Sequence, residues 1–188
     1  MTTFFTSDLH FFHKHICEYT DRPKMSVDEH TEWLVEIWNK QVTPKDVVYS
    51  LGDFAFHSKR DKIQSLVNRL NGQKHFIKGN HCDRKAWSGV TGINWFKDYK
   101  EINIEHEGTK YHICMMHFPI YAWHKQGHGS LMCHGHSHGA LQMQGKALDV
   151  GIDNAYNLFG EHRFFSFEDI VEFMKDRPIV ELDYGRAN

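Results

Sequence analysis

The chain has 188 residues, 40% of them hydrophobic and 24% charged, which predicts one globular domain over residues 1–188 with a substantial core. A net charge of −2 does not predict a strong nucleic-acid footprint. The N-terminus lacks a secretion leader, no apolar run approaches the roughly 20 residues of a membrane span, and the four scattered cysteines form no CxxC pair. These features predict a cytoplasmic protein without a membrane partner.

The first half of the chain alternates short apolar strands with amphipathic helices. The patterns predict a strand over 2–7, a helix capped by Ser26, a strand over 46–51, a helix from Ser58 to a stop at Gly72, and a strand over 74–78.

The second half begins with a predicted hairpin. Its strands cover 102–104 and 111–116, around a turn at Glu107-Gly108. Two short strands over 131–133 and 147–150, a helix from Ser166 to about Lys175, and a closing strand over 178–182 follow. The chain is therefore expected to be an α/β fold of the α+β type, with a mixed β core flanked by helices.

Five short segments with metal-competent side chains each follow an apolar segment. They are Asp8-Leu9-His10, Gly52-Asp53, Gly79-Asn80-His81, His117-Phe118-Pro119 and Gly135-His136-Ser137-His138. Strand ends hold side chains at one rim of a sheet, and two residues spaced i, i+2 on a strand face the same way. Each segment alone is ordinary, since an Asp after Gly usually forms a turn. All five in order predict one shared metal site.

This ordered series resembles the calcineurin-like metallophosphoesterase superfamily over roughly residues 4–153, and the start of the chain is similar to small stand-alone bacterial and viral members. The resemblance implies a β-sandwich flanked by helices on both sides. It implies a first metal held by Asp8, His10 and His138, a second held by Asn80, His117 and His136, and Asp53 bridging the two. It also implies that His81 lies beside the substrate phosphate without binding metal. In many members an acidic residue directly follows the third motif, whereas in this chain Cys82 stands between His81 and Asp83.

Such a ligand set has a definite chemistry. Only Asp8 and Asp53 are anionic, so two divalent cations would leave a net charge near +2, which attracts phosphate and acidifies water. Imidazole-rich sites favour transition metals, and manganese is the first expectation, with iron, zinc, nickel or cobalt as alternatives. His81 is the predicted catalytic residue, as a general acid or charge stabiliser.

The predicted function is hydrolysis of a small phosphate ester, including nucleotide-derived esters, by metal-activated water. A phosphodiester is favoured over a phosphomonoester, and a nuclease or a catalytically inactive metal-binding interaction module remain alternatives. The sequence leaves the oligomeric state open. It also leaves open the roles of His13, His57, Asp83 and Arg84, and whether Asp149 and Asp153 order the last ligand loop or only form a turn.

Overall fold

The structure, a computed structural model, describes residues 1–56 and 59–181 and has a mixed α/β architecture of two mixed sheets flanked by helices. Its strands are β1 (Thr3–Thr6), β2 (Val47–Ser50), β3 (Gln73–Ile77), β4 (Trp95–Lys97), β5 (Tyr99–His106), β6 (Thr109–Met116), β7 (Leu131–His134), β8 (Ala147–Asp149) and β9 (Phe165–Ser166). Its α-helices are α1 (Ile16–Tyr19), α2 (Val27–Gln41), α3 (Arg60–Arg69), α4 (Arg84–Trp87), α5 (Ile152–Phe159) and α6 (Phe167–Met174). Within the described ranges, no helix combines the length and apolarity needed to cross a membrane.

The first sheet has the order β4-β3-β2-β1-β9 and is parallel except for β9, which pairs antiparallel with β1. The predicted closing strand over 178–182 is wrong for residues 178–181, which are not in a strand, and Leu182 lies outside the described residues. Side chains of this segment instead pack against turns, with Val180 beside Gly145 and Ile179 beside Gly129. The edge next to β1 belongs to β9.

The second sheet has the order β5-β6-β7-β8, with one antiparallel pair and two parallel pairs. The predicted hairpin is confirmed, and its strands are longer than the apolar pattern indicated. Glu107 and Gly108 have φ of 49° and 74°, the left-handed pair that suits a tight hairpin turn.

The helix signals are confirmed where the structure describes them. Ser26 and Glu29 form the capping box of α2, and Ser166 and Asp169 form that of α6. The described part of the second predicted helix is α3, while its predicted first residue, Ser58, lies outside the described residues.

Three apolar clusters define the layers. The sheets face each other through side chains such as Phe5, Leu51, Ile113 and Met115. The outer face of the first sheet packs against α2, α3 and α4. On the outer face of the second sheet, Trp123 from the segment after β6 covers Cys114, Met132 and Ala147. This arrangement brings the ends of β1, β2, β3, β6 and β7, the strands that precede the five ligand segments, to one rim.

Candidate metal centre

The first two predicted ligand segments are joined by backbone hydrogen bonds. The amide of Asp8 donates to the carbonyl of Gly52 at 3.1 Å, and the amide of His10 donates to the carbonyl of Asp53 at 2.8 Å. Because these bonds continue the pairing of β1 with β2 past the strand ends, the side chains of the two segments are held side by side.

Five predicted ligands have left-handed backbone conformations. The φ values are 57° at Asp8, 54° at His10, 46° at Asp53, 69° at His136 and 48° at His138. The expectation that the first pair would face the same way along a strand is wrong in its local geometry, because residues 8–10 turn after β1 has ended. Such conformations cost roughly 1–3 kcal/mol each in non-glycine residues and cluster at functional sites.

Asp8, His10 and His138, the predicted ligands of the first metal, lie together at the rim. Their ligand atoms are all within 4.8 Å of one another, and Asp8 Oδ1 is 3.9 Å from the Nε2 atoms of both histidines. Asp8 Oδ1 and both His10 ring nitrogens have no hydrogen-bond partner among the described residues. Burial lowers the pKa of His10 to about 2, so its ring is neutral and offers a lone pair. Buried electron-pair donors that face each other in this way fit a divalent cation.

The second predicted group surrounds His117, which is fully buried. Its Nδ1 donates to the carbonyl of Leu51 at 2.9 Å. Its Nε2 therefore faces Asn80 Oδ1 at 2.9 Å and Asp53 Oδ2 at 3.4 Å, both of them acceptors. Either a second proton on the ring or a cation between these atoms satisfies the contact; without a metal, burial is outweighed by the hydrogen bond to Asp53 and the charges of Asp8 and Asp53, which raise the pKa of His117. A backbone-anchored Nδ1 is the usual support for a metal-binding histidine.

The two carboxylates lie between the groups. Asp53 Oδ2 is 3.9 Å from His10 Nε2 and 3.4 Å from His117 Nε2, a position that suits the predicted bridge. Asp8 also has a ligand atom within 4.8 Å of those of Asp53 and His117, which the sequence did not indicate. Burial raises the pKa of Asp8 to about 6; at Asp53 burial is outweighed by the hydrogen bond and charge of His117, which lower the pKa to about 2. Cations would favour the ionised form of both.

His136 and His81 lie at the open side of the centre. The exposed His136 donates its backbone N–H to Asp8 Oδ2 at 2.9 Å, and its ring centroid is 5.2 Å from that of His117. His81 donates its backbone N–H to Asp53 Oδ1 at 2.9 Å, its Nε2 is 3.9 Å from Asp53 Oδ2, and its side chain is 39% exposed. His81 thus borders the centre while remaining outside both close groups of ligand atoms.

A buried ion pair supports the first group from behind. His138 Nδ1 lies 2.7 Å from Asp153 Oδ2, so the carboxylate fixes the ring with Nε2 toward Asp8. Arg22 donates to both oxygens of Asp153, from Nε at 2.8 Å and from Nη2 at 2.7 Å. The same guanidinium donates to the carbonyls of Asp8 at 2.6 Å and Leu9 at 2.8 Å. Arg22 therefore joins two ligand segments that are distant in the sequence.

Asp149 organises the last ligand loop. Its Oδ2 accepts from the Ser137 hydroxyl at 2.6 Å and the Gly139 amide at 2.9 Å, and its Oδ1 accepts from the Gly151 amide at 2.7 Å. Asp149 and Asp153 thus both order the loop that carries the last two histidines.

The remaining residues named from the sequence lie around the centre. The ring of His13 is 5.5 Å from that of His10. Asp83 caps the short helix α4, and Arg84 forms an exposed ion pair with Asp98. His57 lies outside the described residues.

A cavity of about 210 Å³ opens beside the first group. It is lined by His138 and Asp153 together with Tyr19, Thr20, Asp21, Ala140, Tyr156, Asn157 and His162. The rings of Tyr156 and His162 stack with centroids 4.4 Å apart. The centre thus adjoins a recess with aromatic walls, large enough for a small organic group.

Gly135→Ala is expected to disturb the first group. A Cβ at this position would lie 1.9 Å from Ser7 Oγ and 2.5 Å from Asp8 Oδ2, so the loop or Asp8 must shift. We expect a loss of about 1–3 kcal/mol in the free energy of unfolding together with weaker metal binding. Urea unfolding with and without Mn²⁺ measures both. Gly127→Ala is the matched control, because its added Cβ meets only Glu181 Cγ at 3.9 Å. Equal stability of the two variants would contradict the packing argument.

The chain is similar to several known proteins, and the names of those described next state no activity. No protein-family model matches the sequence. The uncharacterized protein MJ1445 from Methanocaldococcus jannaschii is 43% identical over 76 residues, which is 40% of this chain and 43% of that protein. The Gene 66 proteins of Mycobacterium phages D29 and L5 are 26% and 27% identical, over 82% and 80% of this chain and 89% and 86% of their own lengths. A crystal structure of AQ665, a protein of unknown function from Aquifex aeolicus, is similar with a TM-score of 0.64 and 20% identity, covering 92% of this chain and 98% of that one.

Proposed function

We propose that this protein is a dinuclear-metal phosphoesterase of the calcineurin-like metallophosphoesterase type. The observation that carries the proposal is that ligand atoms of Asp8, His10, Asp53, His117 and His138 form two overlapping close groups at one rim, with Asn80 Oδ1 2.9 Å from His117 Nε2 and His136 beside them. The fixed ring of His117 and the carboxylate-anchored ring of His138 support it further, because each presents Nε2 inward. The two mixed sheets flanked by helices support the proposal at the level of the fold class.

The residues divide the chemistry between them. Divalent transition-metal ions held by these ligands would neutralise phosphate oxygens and acidify the attacking water. Asp8 and Asp53 supply the anionic ligands, and the neutral imidazoles of His10 and the other histidines leave the centre cationic toward a phosphate. His81, anchored by its backbone beside Asp53, is placed to stabilise phosphate charge or to protonate a leaving oxygen.

A phosphodiester remains the favoured substrate. The cavity beside His138 has no lysine or arginine among the described residues that line it, and Tyr19 and Tyr156 give it apolar surface. A monoanionic diester needs fewer positive side chains than a dianionic monoester. Nucleotide-derived diesters fit this description, since a base can stack on an aromatic ring.

Asp53→Asn is expected to abolish hydrolysis. Metal-loaded wild-type protein should cleave bis-p-nitrophenyl phosphate faster than p-nitrophenyl phosphate with Mn²⁺ as the added ion. The exposed Asp61→Asn is the matched control for the same chemical change and should retain the wild-type rate. The absence of hydrolysis of either ester by fully loaded protein would refute the proposal, and a preference for the monoester would reverse the assignment of substrate.

Metal content and stability should change together. We expect about two ions per chain after loading with Mn²⁺. Chelation should lower the free energy of unfolding by about 2.7 kcal/mol relative to protein in a free Mn²⁺ concentration about a hundred times Kd. Elemental analysis and thermal melts measure the two quantities. Trace metal after loading, or a Tm indifferent to chelator, would exclude a tightly bound pair of ions.

A further inference from the structure

Glu101, His112 and His124 form a second cluster of metal-competent side chains on the outer face of the second sheet. Glu101 lies on β5, His112 lies on the adjacent β6, and His124 lies in the segment that follows β6. One ligand atom from each residue lies within 4.8 Å of the other two. No residue of this cluster belongs to the centre described above.

The three side chains meet at one oxygen atom. Glu101 Oε2 is 2.9 Å from His112 Nε2 and 2.8 Å from His124 Nδ1. The neighbouring strand positions support two of them: Tyr99 Oη donates to Glu101 Oε1 at 2.7 Å, and His112 Nδ1 lies 3.1 Å from Asn103 Oδ1. Two of the three side chains are thus oriented by an outer hydrogen bond, as in metal sites.

A proton or a cation has to lie between Glu101 Oε2 and each of the two ring nitrogens. Asn103 Oδ1 only accepts, so His112 carries its proton on Nδ1, and the Nε2 of a neutral ring then presents a lone pair to a carboxylate oxygen. Hydrogen bonds from His124 and Tyr99 lower the pKa of Glu101 to about 2, so the carboxylate is an anion. Either a second proton on the ring or a bound cation satisfies the contact.

We propose that Glu101, His112 and His124 bind one zinc ion, separate from the dinuclear centre. Two imidazoles and one carboxylate are a zinc ligand set that leaves a fourth position for water. Zn–N and Zn–O bonds of about 2.0–2.1 Å place tetrahedral ligands about 3.3 Å apart, so each imidazole needs to move outward by only about 0.5 Å. The side chain of His124 is 55% exposed, which leaves the site open to an entering ion.

The position of the site gives the ion a structural role. The segment that carries His124 begins at His117, a ligand of the dinuclear centre, and ends at β7, which precedes His136. Trp123 packs the segment against Cys114, Met132 and Ala147 of the sheet, and its Nε1 donates to the carbonyl of Ser130 within the segment at 3.2 Å. Zinc would join the segment to the β5–β6 hairpin and stabilise the part of the chain between two ligand segments.

The test is zinc binding to the full chain after removal of all metals. Zn²⁺ alone is added in excess, free ion is removed by gel filtration, and zinc per chain is measured by elemental analysis. Glu101→Gln and His124→Ala are each expected to hold one zinc fewer than wild type, whereas His128→Ala, an exposed histidine of the same segment outside the cluster, should hold as much as wild type. In an Asp8→Asn, Asp53→Asn background, which removes both anionic ligands of the dinuclear centre, one zinc should remain and should disappear on adding His124→Ala.

The variants give clear outcomes. Equal zinc in wild type, Glu101→Gln and His124→Ala overturns the proposal, as does an equal loss in His128→Ala, which would mean adventitious binding to exposed histidines. Glu101→Gln keeps the shape of the side chain, so it decides the matter if His124→Ala fails to fold by circular dichroism. Loss of the zinc that remains in the Asp8→Asn, Asp53→Asn background when His124→Ala is added separates this site from the dinuclear centre.

Discussion

Arg22→Met is expected to lower the free energy of unfolding by about 3–5 kcal/mol. The guanidinium is 3% exposed and donates to both oxygens of Asp153 and to the carbonyls of Asp8 and Leu9. Methionine fills much of the volume but leaves two buried carbonyls without this donor and the buried carboxylate of Asp153 with only His138 beside it. Breaking one side of a buried pair is costly because the remaining charge is uncompensated.

The same substitution should weaken metal binding at the first group. Without Arg22, Asp153 no longer has a fixed position, and His138 loses the partner that orients its Nε2 toward Asp8. Loss of such supporting contacts typically costs 10–100-fold in metal affinity, roughly. Arg69→Met is the matched control, because the Arg69–Glu32 pair is 41% and 63% exposed and should contribute about 0–1 kcal/mol.

Urea unfolding and Mn²⁺ titration of both variants test the role of Arg22. If the buried ion pair supports the centre, Arg22→Met loses stability and affinity for Mn²⁺, while Arg69→Met keeps both. If the two variants unfold at the same urea concentration and bind Mn²⁺ equally well, the pairing of Arg22 with Asp153 contributes nothing beyond an ordinary surface contact.

The sequence indicated which side chains meet at the rim better than it indicated what supports them. The proposed ligands stand in short ordered motifs at the ends of apolar strands, and each motif carries its own local signal. Arg22 carries none, because its partner Asp153 is 131 residues away and its other partners are backbone carbonyls. Contacts of this range depend on the tertiary fold, and hydrophobic periodicity does not record them.

The missed elements have a similar cause. β4 and β9 contain three and two residues, too few for alternation to be visible, and they exist because they pair with longer neighbours. The left-handed backbone at Asp8 and His10 was also missed, since no glycine marks either position. Alternation along a strand predicted that these two side chains lie close together. They do, but the left-handed backbone after β1, and not strand alternation, positions them.

His81→Ala is expected to lower turnover by roughly 10²–10⁴-fold while the metal content stays at the wild-type value. The backbone of His81 is fixed by its bond to Asp53 Oδ1, and its side chain is 39% exposed at the open side of the centre. Its Nε2 is 3.9 Å from Asp53 Oδ2, as is the Nε2 of His10, and the proposed ligand set assigns His81 to the phosphate and not to a metal. Removing the ring should therefore take away a phosphate contact or a proton donor and leave the ligand set intact.

The choice of ester distinguishes these two roles of His81. A diester with a very good leaving group needs little protonation, so its rate should fall less than that of a diester with a poor leaving group if His81 is the acid. Equal losses on both esters would instead indicate that His81 stabilises phosphate charge. His106→Ala is the control. His106 pairs with Thr109 at the hairpin turn, whereas the end of the hairpin nearest to His117 is the pair Tyr99–Met116. Loss of metal in His81→Ala would identify His81 as a ligand, and full activity on the poor leaving group would remove it from the catalytic machinery.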